Sequence, residues 1–191
     1  MNFNHPIIFS AVTAALIFGT GCASAPKTDP MTFTRQALAA TDAVKVSGFN
    51  TNFVGRFEKF NSDYSAANIT NNMKDVYAAG VYFRDPFKEI YGEAELEAYL
   101  LRTSKAVAQF SMDWQDVAEH GGDYYFRWVM SVKLKRDGKN KPPSLTTGIS
   151  FVRFGADGKV IFHQDYFDAA AFLYEKIPVL GSEIRFIKKR I

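Results

Sequence analysis

The chain has 191 residues, 47% of them hydrophobic and 15% aromatic, with 23 basic and 20 acidic side chains and a formal charge of +3. That length suits one domain with a real core, and so even a charge balance excludes the electrostatic footprint that nucleic-acid binding needs. Cys22 is the only cysteine, which excludes an internal disulfide and a thiolate metal cluster.

Residues 7–18, "IIFSAVTAALIF", are too short to span a bilayer but have the length of a signal-peptide core, so residues 1–21 read as a signal peptide. The "FGTGC" that follows resembles a bacterial lipobox. It departs from that pattern at Gly19, where Leu is usual, and in having no Lys or Arg before Lys27. The resemblance implies lipidation of Cys22 and a place in the bacterial cell envelope, anchored facing the periplasm or the cell exterior. The rival is a soluble periplasmic protein cut after "ASA", and Pro26 immediately behind that cut counts against it. Residues 22–46 show no sustained periodicity and read as a flexible tether with a reach of roughly 25 Å.

A domain is expected over 47–170. Phe53, Phe57 and Phe60 recur at helical spacing, and Ile69, Met73, Val76 and Tyr77 mark a second helix over 68–80. "VYFRDPF" then alternates as a strand, with Val81, Phe83 and Asp85 on one face, Tyr82 and Arg84 on the other, and Pro86 ending the ladder. "GEAELEAYLLRTSKAV" returns to helical spacing, with Leu96, Tyr99, Leu100 and Val107 buried. Four long strands follow, separated by turn-rich segments, and read as an antiparallel meander. In the second strand of the sheet Phe110, Met112, Trp114 and Asp116 share a face. In the third, Tyr124, Phe126, Trp128 and Met130 do. Helices followed by a long bent sheet make an α+β fold.

"VYFRDPFKEIYGEAELEAYL" resembles the F-x-DP…G…L signature of the SnoaL-like branch of the nuclear transport factor 2-like superfamily, and "RFGADGKVIFHQDYFD" resembles its closing element. The likeness runs over roughly 53–170. It implies a cone-shaped barrel of strongly curved antiparallel sheet wrapped around N-terminal helices, with a pocket used by polyketide cyclases, steroid isomerases, epoxide hydrolases and non-catalytic binders. Fold alone does not choose among these.

Three residues are candidates for catalysis. Asp85 sits at a strand end, where the family often points a carboxylate inward; a turn-capping role before Pro86 competes. His163 and Asp165 are two apart on the last strand and so share a face, the arrangement of a proton-transfer pair or of an ordinary polar pair. Asp168 reads as the cap of a helix starting at Ala169. Asp165 matches the family aspartate that activates water in epoxide hydrolases, but Arg127 is followed two positions on by Val129 rather than the acid those enzymes use. A steroid-isomerase pattern needs a phenol, and Tyr64, Tyr82 and Tyr124 are the candidates. Phe83, Trp114, Tyr124, Trp128 and Met130 are the expected ligand-binding lining. No histidine spacing fits a metal site, and no nucleotide or cofactor motif occurs.

The extension over 171–191 reads as two short helices broken at Pro178 and Gly181, with Ser182 as N-cap. Ile184, Ile187 and Ile191 fall on one side, and Arg185, Lys188 and Lys189 largely on the other. It packs on the domain, closes a pocket mouth, or lies on an anionic membrane; packing is the plainer expectation. Three functions compete: a membrane-tethered domain binding a hydrophobic small molecule in an aromatic pocket, an isomerase- or cyclase-type enzyme using Asp165 and His163, and a homodimeric scaffold module.

Overall fold

The computed structural model describes Asp29 and residues 31–191, so the expected signal segment and Cys22 lie outside the described residues. Its first element is α1 (Thr32–Asp42), inside the stretch expected to be a tether. The buried face of α1 consists of Thr34, Ala37 and Thr41, small side chains at helical spacing that carry no apolar stripe for a periodicity search to find.

The helices α2 (Thr51–Asn61), α3 (Ala66–Val76) and α4 (Glu93–Ser104) then form one layer. Asn50 starts α2 by accepting from the amides of Asn52 and Phe53, and Ser65 starts α3 by accepting from Asn68. α3 ends at Val76, four residues before the expected boundary. Tyr77 is buried as expected, but it begins the strand β1 (Tyr77–Arg84) and does not continue a helix. Likewise Val107 opens β3 (Val107–His120) and is not part of α4.

A short strand β2 (Glu89–Tyr91) joins β1, β3, β4 (Asp123–Leu134), β5 (Ser144–Phe154) and β6 (Val160–Phe167) in one sheet of order β2-β1-β6-β5-β4-β3. The meander β3–β6 is antiparallel, as expected. The β1–β6 pair is parallel, because the whole meander lies between these strands and returns β6 to the side of β1 in the same direction. The sheet is curved but does not close into a barrel, since β2 and β3 remain its edges.

The concave face holds the core, where Phe57, Ile69, Met73, Leu96, Phe126, Val152 and Phe154 pack between sheet and helices. Phe57 alone stacks within 6.3 Å of Phe126, Trp114, Phe154 and His163, and its truncation to Ala would cost about 3–5 kcal/mol. The convex face near β1 and β6 carries a second cluster, Tyr82, Phe151 and Phe162, covered by Ala37 and Leu38 of α1. Arg153 fixes that cover. It is buried, bonds Asp123 at 2.7 Å, the Leu38 carbonyl at 2.6 Å and Thr41 at 3.0 Å, and lies over the Phe151 and Phe162 rings.

A bulge between Trp114 and Asp116 breaks the expected alternation of β3: Asp116 turns to the exposed side and pairs with Arg127 across the strand. After β6 come α5 (Ala169–Phe172), a 3₁₀ turn (Tyr174–Lys176) and α6 (Leu180–Lys188). Asp168 caps α5 as expected, accepting from Ala171 at 3.0 Å. Ser182 does not cap α6, which begins two residues earlier behind Val179.

Candidate functional site

β1 stops at Arg84, opposite Gln164, because Pro86 has no amide to continue the ladder; β6 runs on to Phe167. The unequal strand ends open a cavity of about 370 Å³ lined by Met31, Arg84, Asp85, Pro86, Gln164, Asp165, Tyr166 and Phe167. Phe87, Phe167, Phe172 and Tyr174 form an aromatic cluster beside it, which brings α5 and the 3₁₀ turn to its rim.

Asp165 faces inward from β6, in register with Ser150 of β5. Its Oδ1 accepts from Ser150 Oγ at 2.5 Å and bonds His163 Nε2 at 2.9 Å. Ser150 in turn accepts from the indole of Trp128 at 2.9 Å. Gly148 makes room for that indole: a Cβ at 148 would stand 2.3 Å from the Trp128 ring. His163 Nδ1 lies 3.0 Å from the hydroxyl of Tyr77. Complete burial drives the Tyr77 phenol above its usual range, so it keeps its proton. A carboxylate only accepts, so Nε2 facing Asp165 carries the hydrogen of a neutral imidazole, and Nδ1 accepts from the Tyr77 hydroxyl. One chain of bonds therefore runs from Trp128 and from Tyr77 to a single carboxylate oxygen.

His163 is 3% exposed, enclosed by Phe57, Phe83 and Tyr77 rings. With both nitrogens engaged and no surface on the cavity, it orients Asp165 instead of meeting a ligand. Asp165 keeps 19% side-chain exposure and lines the cavity.

Asp85 is brought to the same cavity. One oxygen accepts from the Phe87 and Lys88 amides at 2.7 and 2.6 Å, the turn-capping role weighed above. The other accepts from the Tyr99 hydroxyl at 2.6 Å. Burial raises the Asp85 carboxyl above its ordinary value, and the charge of nearby Asp165 adds to this. Burial likewise raises Tyr99, and it pushes Tyr64 up to about 12.

The expected aromatic lining is placed elsewhere. Phe83, Tyr124 and Trp128 are packed inside the core, Met130 and Trp114 pack against that core, and none of the five lines this cavity. Inward-facing rings of a small sheet fill the concave face themselves, and the cavity arises at a strand end instead. The three candidate phenols also lie apart: Tyr124 bonds the Gly48 carbonyl, Tyr82 bonds Thr34 and Glu89 under α1, and Tyr64 bonds Thr103. Sequence reasoning missed Ser150, Tyr77 and Tyr99. Tyr77 and Tyr99 read as core stripe, and the pairing of Ser150 with Asp165 depends on strand register. Gln164 was also missed; it is buried, lines the cavity from the side of β6 opposite His163, and its Oε1 has no hydrogen-bond partner among the described residues. Among the described residues no group of three His, Cys, Asp or Glu is placed to hold a metal.

The family model for the SnoaL-like domain matches residues 57–163. No curated protein matches the sequence. Solved structures share the fold at low identity. A SnoaL-like polyketide cyclase candidate from Jannaschia sp. CCS1 is 14% identical, with TM-score 0.53 over 66% of this chain and 92% of that one. A protein with a ketosteroid isomerase-like fold from Catenulispora acidiphila, solved with trimethylamine, is 14% identical with TM-score 0.53, over 65% and 92%. An epoxide hydrolase from M. tuberculosis is 12% identical with TM-score 0.51, over 78% and 97%.

Proposed function

Since the chain belongs to the SnoaL-like domain family, we propose that the cavity at the β1 and β6 ends binds a small, largely apolar organic molecule bearing a hydrogen-bond donor. Asp85 and Asp165 are the acceptors that orient it; Met31, Pro86 and Phe167 supply apolar contact. A volume of about 370 Å³ suits such a ligand. The observation that carries the reading is the convergence of two carboxyls on one cavity, each held from behind by interior donors: Tyr99 for Asp85, His163 and Ser150 for Asp165. Native mass spectrometry of the purified protein tests it. A small-molecule adduct on the wild type that is lost from Asp165→Asn supports the reading. No adduct, or an equal adduct on both, defeats it.

Turnover by proton transfer, of isomerase or cyclase type, is the second reading. It is favoured by the unequal settings of the two acids: burial favours the neutral form of Asp85, whereas Asp165 takes two donors on one oxygen. Asp165 would take a proton from the substrate and Asp85, when protonated, would return one to another atom, so the composition of the substrate is unchanged and exchange with water resets both acids. His163 and Ser150 then serve as positioning residues.

We also place the domain on the bacterial cell envelope through an acyl group on Cys22, on the strength of the lipobox-like "FGTGC". Labelling with a fatty-acid probe should mark the wild type and spare Cys22→Ala; equal labelling removes the anchor.

A further inference from the structure

α6 is docked by the wrong side for an ordinary amphipathic helix. It meets the domain through Gly181, where a Cβ would fall 2.1 Å from the Glu175 carbonyl oxygen. Arg185 donates to that carbonyl at 2.8 Å, and Lys188 bonds the Glu175 carboxylate at 2.5 Å. Leu180 and Ile187 lie about 100° round the helix from this contact, Ile184 between them is half-buried, and Ile191 follows three residues beyond the last helical turn. These ends stand in solvent: Leu180 is 43% exposed, Ile187 55%, and Ile191 wholly so, while Phe186, on another side of the helix, carries Arg190 over its ring. Val179, also exposed, is held at φ 67° in a tight turn closed by a Leu180 amide to Pro178 carbonyl bond of 2.8 Å. A β-branched residue is strained there, so the turn that presents the stripe carries an energetic cost.

The charge around this stripe is one-sided. Residues 133–141 and 175–191 hold ten of the 23 Lys and Arg but three of the 20 Asp and Glu, so the rest of the chain is net negative. Lys176 joins the two segments in space, donating to Ser144 at the start of β5 at 2.6 Å. Among the described residues no helix is long and apolar enough to cross a membrane.

We propose that α6, its exposed Val179–Leu180 turn and the basic β4–β5 connection form a docking face for an anionic phospholipid bilayer. The apolar side chains enter the interfacial layer while the flanking cations meet the headgroups. A second copy of the chain is a poorer occupant, since a two-fold contact would set this positive face against itself. The inference is independent of acylation at Cys22 and of the cavity reading.

The test is flotation of the full chain carrying Cys22→Ala, with vesicles of phosphatidylcholine alone or with one quarter phosphatidylglycerol. Binding should be confined largely to the anionic vesicles. Lys189→Ser with Arg190→Ser should weaken it on the order of twentyfold, and Ile187→Ser with Ile191→Ser by about tenfold or more. All four positions are exposed, so the variants should fold. Ile187→Trp supplies a local reading, its emission, taken as the difference from the parent chain with Trp114 and Trp128, moving to the blue on anionic vesicles. Equal binding to both vesicle types, binding unmoved by the substitutions, or an unmoved Trp emission would overturn the proposal. A solution mass that doubles without vesicles and falls back in Ile187→Ser with Ile191→Ser would assign the stripe to a second copy instead.

Discussion

Replacing His163 by Phe tests the relay behind Asp165, because the ring contacts with Phe57 and Phe83 can be kept while both hydrogen bonds are lost. Two costs arise. The buried Tyr77 hydroxyl is left with Asn61 Oδ1 at 3.4 Å, a poor partner, which costs about 1–3 kcal/mol. Asp165 loses one of its two donors, but its partial exposure lets water replace it, so about 1 kcal/mol is reasonable. His163→Phe should therefore destabilise by about 2–4 kcal/mol. Tyr77→Phe alone strands Nδ1 of a buried imidazole and should cost about 1–3 kcal/mol. In the double variant both stranded groups are gone and only the loss at Asp165 remains, about 1 kcal/mol. The double variant should thus be no less stable than His163→Phe alone, a coupling of about 2–6 kcal/mol between the sites. Urea unfolding followed by the fluorescence of Trp114 and Trp128 would measure all three, provided the m-values agree. Additive costs within about 0.5 kcal/mol would refute the Tyr77-to-His163 bond and the tautomer deduced from it.

Two further outcomes follow from the electrostatics. Because burial raises the Asp85 carboxyl, the folded state favours its neutral form, and the stability this gives at low pH is lost as pH rises through the raised value. Asp85→Asn, which can still accept from the Phe87 and Lys88 amides, should match the wild type in thermal unfolding near pH 3 and exceed it at pH 7; the reverse order refutes the burial argument. For Asp123 burial also raises the carboxyl, but Arg153 and Lys45 outweigh it and hold the group low, so its contribution is present above the ordinary carboxylate range and lost as pH falls through the lowered value. Arg153→Met should cost about 2–4 kcal/mol at pH 7, less below pH 3, and speed amide exchange in α1; a cost under about 1 kcal/mol would count against Arg153 as the tie between α1 and the sheet.

The parts of the fold that the sequence made legible are those where large apolar side chains recur at a fixed period: Phe57 and Phe60 on α2, Ile69 and Met73 on α3, and the alternating rings of β4. α1 escaped because its buried face is Thr34, Ala37 and Thr41, and the aromatic surface it covers belongs to strands far along the chain. His163 and Asp165 were legible as a pair, since two residues apart on a strand must share a face. Their roles were not: whether the imidazole reaches a ligand depends on Phe57, Phe83 and Tyr77 closing around it, which is a matter of packing. The aromatic lining failed for the same reason, because alternation tells which way a ring points but not whether helices already fill the space in front of it. Ser150 and Tyr99 depend on register and on helix placement, neither of which one chain's pattern contains.

The mismatch in length between β1 and β6 means that the hollow beside Asp165 owes little to gaps in the interior. Its depth is governed by where a proline interrupts one strand and by how the few residues after that proline fold back. Changes in the segment 85–88 can therefore reshape what is admitted, while Phe57, Phe126 and Phe154 stay packed as they are. The shape of the hollow and the packing of the core are written into separate stretches of this chain, so either can drift without dragging the other along.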